Sequence, residues 1–170
     1  MANYELDEEY MRIVSHILNN EEFSKLKDIK HHNSTRLNHC LKVSYKSYVI
    51  AKKLKLDYED VARAGLLHDF YLGQVNEQKG VKDKFLLFTT QHPGQAVKNS
   101  LKYFNLSDKE IDIIRTHMFP VDIKVPKYAE SWLVSFIDKT VSTKEFSQKF
   151  SNKLSWTLNI SIIMLFNILK

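Results

Sequence analysis

Cysteine is almost missing from this sequence: Cys40 stands alone, which excludes an internal disulfide framework. Glycine and proline are scarce too, four and three among 170 residues. That excludes an all-β chain with its many tight turns and a long disordered linker, and it leaves a helical composition. No block of like charge is long enough to serve as a nucleic-acid arm, because the lysines come singly or in small groups such as Lys52, Lys53 and Lys55. A stable nucleic-acid complex is therefore not expected. The opening MANYELDEEY is acidic where a secretory signal needs a basic start and an apolar run, so the expected compartment is the cytoplasm. The most apolar stretch, SWTLNISIIMLFNILK, has about 16 residues and is interrupted by Asn159, Ser161 and Asn167. A transmembrane span needs roughly 20 residues, so none is expected. The segment from Leu154 to Leu169 is read instead as a helix packed on the domain, with a homodimer contact as the second reading.

What is present is enough apolar material, 44% of the chain, to bury one core. The expected organisation is one all-α domain over residues 1–170, a bundle of about six to eight helices with its core at about 33–146. Twenty-five Lys and Arg against twenty Asp and Glu give a formal charge of +5. This mild basicity serves either as a solvated face or as a surface that draws in a phosphorylated small molecule.

Apolar spacing divides the chain into helices. Met11, Val14, Ile17 and Leu18 mark one from about Leu6 to Leu18, and a short one follows through Phe23 and Leu26. Asn33 or Ser34 is expected to cap a long helix through Leu37, Leu41, Tyr48 and Leu54. Asp57, with Asp60 three residues on, caps the helix of Val61, Ala64, Leu67 and His68. The polar stretch FYLGQVNEQKGVKDK then reads as a surface loop and candidate lid, centred on Tyr71 to Lys84. Thr90 is expected to cap a helix that begins near Pro93. Ser107 and Glu110 form a capping box for the helix of Ile111, Ile114 and His117, which Pro120 stops, and another helix spans Tyr128 to about Phe146.

Histidines recur at the ends or on the apolar faces of these helices, one to a helix. His39 shares a face with Arg36 and Val43, and His117 follows Ile114 by three. Asp138 lies four residues after Val134 and three before Val141, so a carboxylate is directed with two valines into the interior, where it needs a partner. Imidazoles with carboxylates form a ligand set for transition metals rather than calcium, and a carboxylate is able to bridge two ions.

The segments RLNHCLKV, ARAGLLHDF, TTQHPGQAV, IIRTHMF and SWLVSFIDKT carry His39, His68-Asp69, His92, His117 and Asp138, at separations of 29, 24, 25 and 21 residues. In this order the set resembles the HD superfamily of metal-dependent phosphohydrolases. The resemblance implies two divalent ions (Fe, Mn, Zn, Ni, Co or Mg). His39, His68, Asp69 and Asp138 would hold one, His92 and His117 would belong to the other, and Asp69 would bridge. It implies hydrolysis of a phosphoester or phosphoanhydride in a nucleotide-like substrate by a metal-activated bridging hydroxide. Arg36, Lys139 and His32 are then the candidates to contact substrate. Arg36 has the planar fork that matches phosphate, and its alternative is an ion pair with a carboxylate. Lys139 stands about 100° round its helix from Asp138 and is expected to face solvent more than substrate.

Two departures narrow the substrate. The doublet is followed by Phe70, Tyr71 and Leu72 rather than Ile-Gly, and no lysine follows closely, so a cyclic dinucleotide is not carried over. The same six ligands also resemble those of HD-type di-iron oxygenases, and a non-catalytic HD regulatory module is the third class.

Overall fold

The computed structural model describes residues 4–31, 34–73 and 81–147, with main chain alone at residue 31 and over 81–89. The expected C-terminal helix from Leu154 to Leu169 lies outside the described residues. So do His32 and residues 74–80 of the expected lid.

After a 3-10 turn at Tyr4–Leu6, α1 spans Glu8–Leu18. Asp7 caps it by accepting the Tyr10 amide at 3.0 Å. Tyr10, Ile13, Val14 and Ile17 are its buried stripe, the spacing of one face of a 3.6-residue helix. Asn20 caps α2 (Glu21–Ser24), and a second 3-10 turn at Lys25–Asp28 leads into β1 (Lys30–His31). β1 pairs antiparallel with β2 (Ser34–Thr35), with Lys30 opposite Thr35 and His31 opposite Ser34. This short ladder moves the start of α3 (Arg36–Leu54). Thr35, not Asn33 or Ser34, is its N-cap, with Oγ1 accepting the Asn38 amide at 3.3 Å. Ser34 is held in extended pairing, so the chain turns helical one residue later than its polar side chains imply.

α3 ends at Lys55 in the left-handed region (φ 57°), and Asp57 caps α4 (Tyr58–Leu67) as expected. α5 is the main correction, because it runs unbroken from Val81 to Tyr103 with Pro93 inside it. Val81 to Lys84 are helical rather than loop, and no new helix starts at Pro93. Proline suits a first turn, but in an interior it forfeits one backbone hydrogen bond. Here the residues on both sides continue the helix and His92 and Pro93 are buried, so packing outweighs that local preference. Ser107 and Glu110 form both bonds of the capping box that opens α6 (Asp108–Thr116), and α7 covers residues 129–147.

The architecture is an all-α bundle. α3 packs along α4, α4 also contacts α1 and α6, and α5 lies on α6. Gly65 allows a close approach of α4 to α3: a β-carbon there would stand 3.0 Å from the Ser44 α-carbon. Ser44 is itself fixed, donating to the Ala62 carbonyl at 2.6 Å and sharing a 2.8 Å hydrogen bond with the buried Tyr10 hydroxyl. Val43, Ala64, Leu66, Leu67, Phe70, Ile113, Ile114 and Val134 close the core around this seam. Among the described residues no helix is long and apolar enough to cross a membrane.

Candidate metal centre

Five elements each deliver part of one buried cluster. His39 enters from the first turn of α3, and His68 caps the C-terminus of α4 with Asp69 next to it. His92 lies within α5, His117 caps the C-terminus of α6, and Asp138 comes from α7. All six are buried, none more than 7% exposed, and they meet although they span a hundred residues of chain.

His39 Nε2 lies 3.0 Å and His68 Nε2 3.7 Å from Asp138 Oδ1. His92 Nε2 is 3.3 Å from Asp69 Oδ1 and 2.9 Å from His117 Nε2. Three triads of these residues, His39 with His68 and Asp69, His68 with His117 and Asp138, and Asp69 with His92 and His117, have ligand atoms within 4.8 Å of one another. Asp69 belongs to two of them.

The donor chemistry fits cations. His68 Nδ1 donates to the Gly65 carbonyl at 2.8 Å, and His117 Nδ1 donates to the Ile114 carbonyl at 2.8 Å. A carbonyl only accepts, so in each neutral ring the proton is on Nδ1 and the Nε2 lone pair faces the cluster. Burial, reinforced by His68 and His92, pushes the His117 imidazole down to about 3, and burial lowers His68 as well. Both rings are therefore neutral, each with a lone pair suited to a cation. Burial opposes charge on Asp69, but His68, His92, Arg36 and His117 outweigh it and hold the carboxyl well below the ordinary range. Asp138 is held low against burial by the His39 hydrogen bond and the nearby His68. Inward lone pairs beside ionised carboxylates, all shielded from water, are what divalent transition metals require.

His39 differs from the other rings. Its Nδ1 is 3.1 Å from Glu145 Oε2, while Glu145 Oε1 accepts from Lys42 Nζ at 2.7 Å. Burial opposes charge on His39, but the hydrogen bonds to Asp138 and Glu145 prevail and raise it to about 10. Burial likewise opposes charge on Glu145, whose carboxyl is nonetheless lowered to about 2 by His39 and Lys42. Sequence reasoning missed Glu145, although a signal was present: it follows Asp138 by seven residues, two helical turns along the same face.

The expected substrate contacts are placed differently. Arg36 is buried with its Nε 3.8 Å from Asp69 Oδ2, donates through an Nη to the Tyr71 carbonyl, and has its guanidinium 5.5 Å from the Tyr71 ring centre. The ion-pair alternative is thus realised with the acid at the centre of the cluster. Lys139 does not face solvent. Its ammonium donates to the carbonyls of His117 (2.8 Å) and Ser135 (3.2 Å) and lies 2.9 Å from Ser135 Oγ. It thereby neutralises the C-terminal end of α6, where unpaired carbonyls favour a cation. Ser135 Oγ reaches the carbonyls of both His117 and Phe119, at 2.8 and 3.0 Å.

The family model of the HD domain matches residues 36–143 of the chain, from the arginine that opens α3 to the turn of α7 beyond Asp138. No curated protein and no solved structure matches the chain.

Proposed function

Because the chain belongs to the HD-domain family, we propose that it is a metal-dependent phosphohydrolase cleaving a phosphoester or phosphoanhydride of a nucleotide-like substrate. The observation that carries the reading is the shared position of Asp69, one carboxylate common to the triad with His39 and His68 and the triad with His92 and His117. In this reading His39, His68, Asp69 and Asp138 would hold one divalent ion, and His92 and His117 would belong to a second, with Asp69 common to both sets. Two such ions, when bound, supply a nucleophile from water at neutral pH and neutralise charge on a phosphoryl group in flight.

The chain's own side chains do the rest. The Nδ1 bonds of His68 and His117 to carbonyls of their own helices keep both Nε2 atoms on the cluster. Burial keeps bulk water from the ligands and strengthens every charge interaction among them. Arg36, buried beside Asp69, balances the charge of that carboxylate in this proposal rather than contacting phosphate.

The test is elemental analysis of untagged wild type and Asp69→Ala, with phosphate and nucleoside release followed on a panel of nucleotides and dinucleoside polyphosphates. About two ions per chain, lost together with turnover in Asp69→Ala, is the expected result. Absence of metal after reconstitution with manganese, iron or zinc overturns the proposal. So does retained iron with oxygen consumption and no phosphate release, which would indicate oxygenase chemistry.

A further inference from the structure

Each inward-facing ring of the cluster needs an acceptor for its other nitrogen, and the helices meet that need unequally. His68 and His117 sit at helix C-caps, and Gly65 and Ile114 belong to last turns whose carbonyls have no partner within the helix. Each ring takes such a carbonyl three residues back. His39 has no such option. It lies in the first turn of a 19-residue helix, where the carbonyls behind it accept amides further along, so its Nδ1 needs an acceptor from another element.

That acceptor is Glu145. It lies two turns beyond Asp138 on α7 and is 3% exposed, and its Oε2 is 3.1 Å from His39 Nδ1. Lys42, one turn beyond His39 on α3, takes the other oxygen at 2.7 Å. The two helices therefore meet through three pairs: His39 with Asp138, His39 with Glu145, and Lys42 with Glu145. Glu145 belongs to none of the three ligand triads, and a buried carboxylate with both oxygens engaged in this way is committed to orienting what it touches.

On the reading of a metal centre given above, we propose that Glu145, anchored by Lys42, is a positioning residue: it holds the His39 proton on Nδ1 and keeps Nε2 aimed at the ion shared with Asp138. An acceptor on the far nitrogen fixes both the tautomer and the rotation of a ligand ring, and losing such a partner weakens metal affinity by roughly 10–100-fold.

The experiment titrates Zn2+ into metal-free wild type, Glu145→Gln and Glu145→Ala against a chromophoric chelator. Thermal stability of each metal-free protein is measured alongside, and the histidine nitrogens of the Zn2+-loaded wild type are assigned by 15N NMR. The expected result is affinity for one Zn2+ reduced about 10–100-fold in Glu145→Ala and less in Glu145→Gln, whose amide oxygen still accepts from Nδ1, beyond any change in metal-free stability, with a solvent-protected proton on His39 Nδ1 in the wild type. A purely structural role would lower metal-free stability and leave Zn2+ affinity within about two-fold, which would overturn the proposal. If the variants do not fold, the wild-type spectrum still decides: a proton on Nε2 of loaded His39 overturns the role. A wild type that takes up no Zn2+ overturns the metal centre and this role together, whereas uptake unaltered by Glu145→Ala overturns this role alone.

Discussion

Replacing Gly65 by alanine tests the seam on which the cluster depends. The new β-carbon would stand 3.0 Å from the Ser44 α-carbon and 3.6 Å from its β-carbon and amide nitrogen. Ordinary carbon contacts begin near 3.5 Å, so α3 or α4 must yield by a few tenths of an ångström. Ser44 is poorly placed to yield. It lies mid-helix, and its hydroxyl is tied to the Ala62 carbonyl and the Tyr10 hydroxyl. Alanine gains about 1 kcal/mol in helix propensity over glycine, while overpacking a close seam costs roughly 1–3 kcal/mol. The expected net loss is on the order of 1 kcal/mol, a fall in Tm of about 2–5 °C for a chain of this size. Zn2+ affinity should fall as well, because the Gly65 carbonyl orients His68. Thermal unfolding of the metal-free protein by circular dichroism measures the first effect, and chelator competition the second. An unchanged or raised Tm would refute the reasoning, showing that this contact does not set the separation of α3 and α4.

Two further outcomes follow from groups outside the ligand set. Burial raises the Glu110 carboxyl from its ordinary 4.5 to about 7, overcoming the Ser107 amide and the Arg63 guanidinium 3.0 Å away. Its folded pKa exceeds its unfolded one, so the contribution is full below about 4.5 and is lost as pH rises through 7. Glu110→Gln, which keeps the capping box, should therefore lose less stability than wild type between pH 5 and 8, by on the order of 2 kcal/mol. Parallel urea stabilities across that range would contradict this. Ser135→Ala removes the donor shared by the carbonyls of His117 and Phe119 and should cost about 1–2 kcal/mol in urea unfolding. A midpoint equal to wild type would show that Lys139 carries that helix end by itself.

Short-range features were the legible ones. Asp57 and Ser107 cap where expected because a cap joins a side chain to an amide three residues on, and that spacing is visible in the sequence. Val14 and Ile17 of α1 and the valines flanking Asp138 were readable from helical spacing in the same way, whereas Tyr10 and Ile13 complete the buried stripe where Met11 and Leu18 were expected. The convergence of His39, His68, Asp69, His92, His117 and Asp138 was anticipated from their order and from the apolar faces that carry them. What failed depended on partners distant in sequence. Pro93 favours a helix start locally, yet α5 runs through it under the demands of packing. Ser34 resembles a cap until its pairing with His31 is known. Lys139 stands round the helix from Asp138, and only the path of α6 shows that this direction leads to the His117 carbonyl and not to water. Glu145 shares a helix face with Asp138, but its partner His39 is known only when α3 is laid against α7.

The bonds by which His68 and His117 each reach back to a carbonyl of their own helix have a consequence for how such a protein can diversify. Neither ring takes its aim from the chain that follows it, since both are oriented by residues already behind them. Segments beyond Asp69 and beyond the end of α6 can be lengthened, shortened or exchanged while both rings stay where they are. On the proposed reading, chemistry and choice of molecule are thereby inherited separately: one framework can keep its metal site through many changes of what is admitted to it.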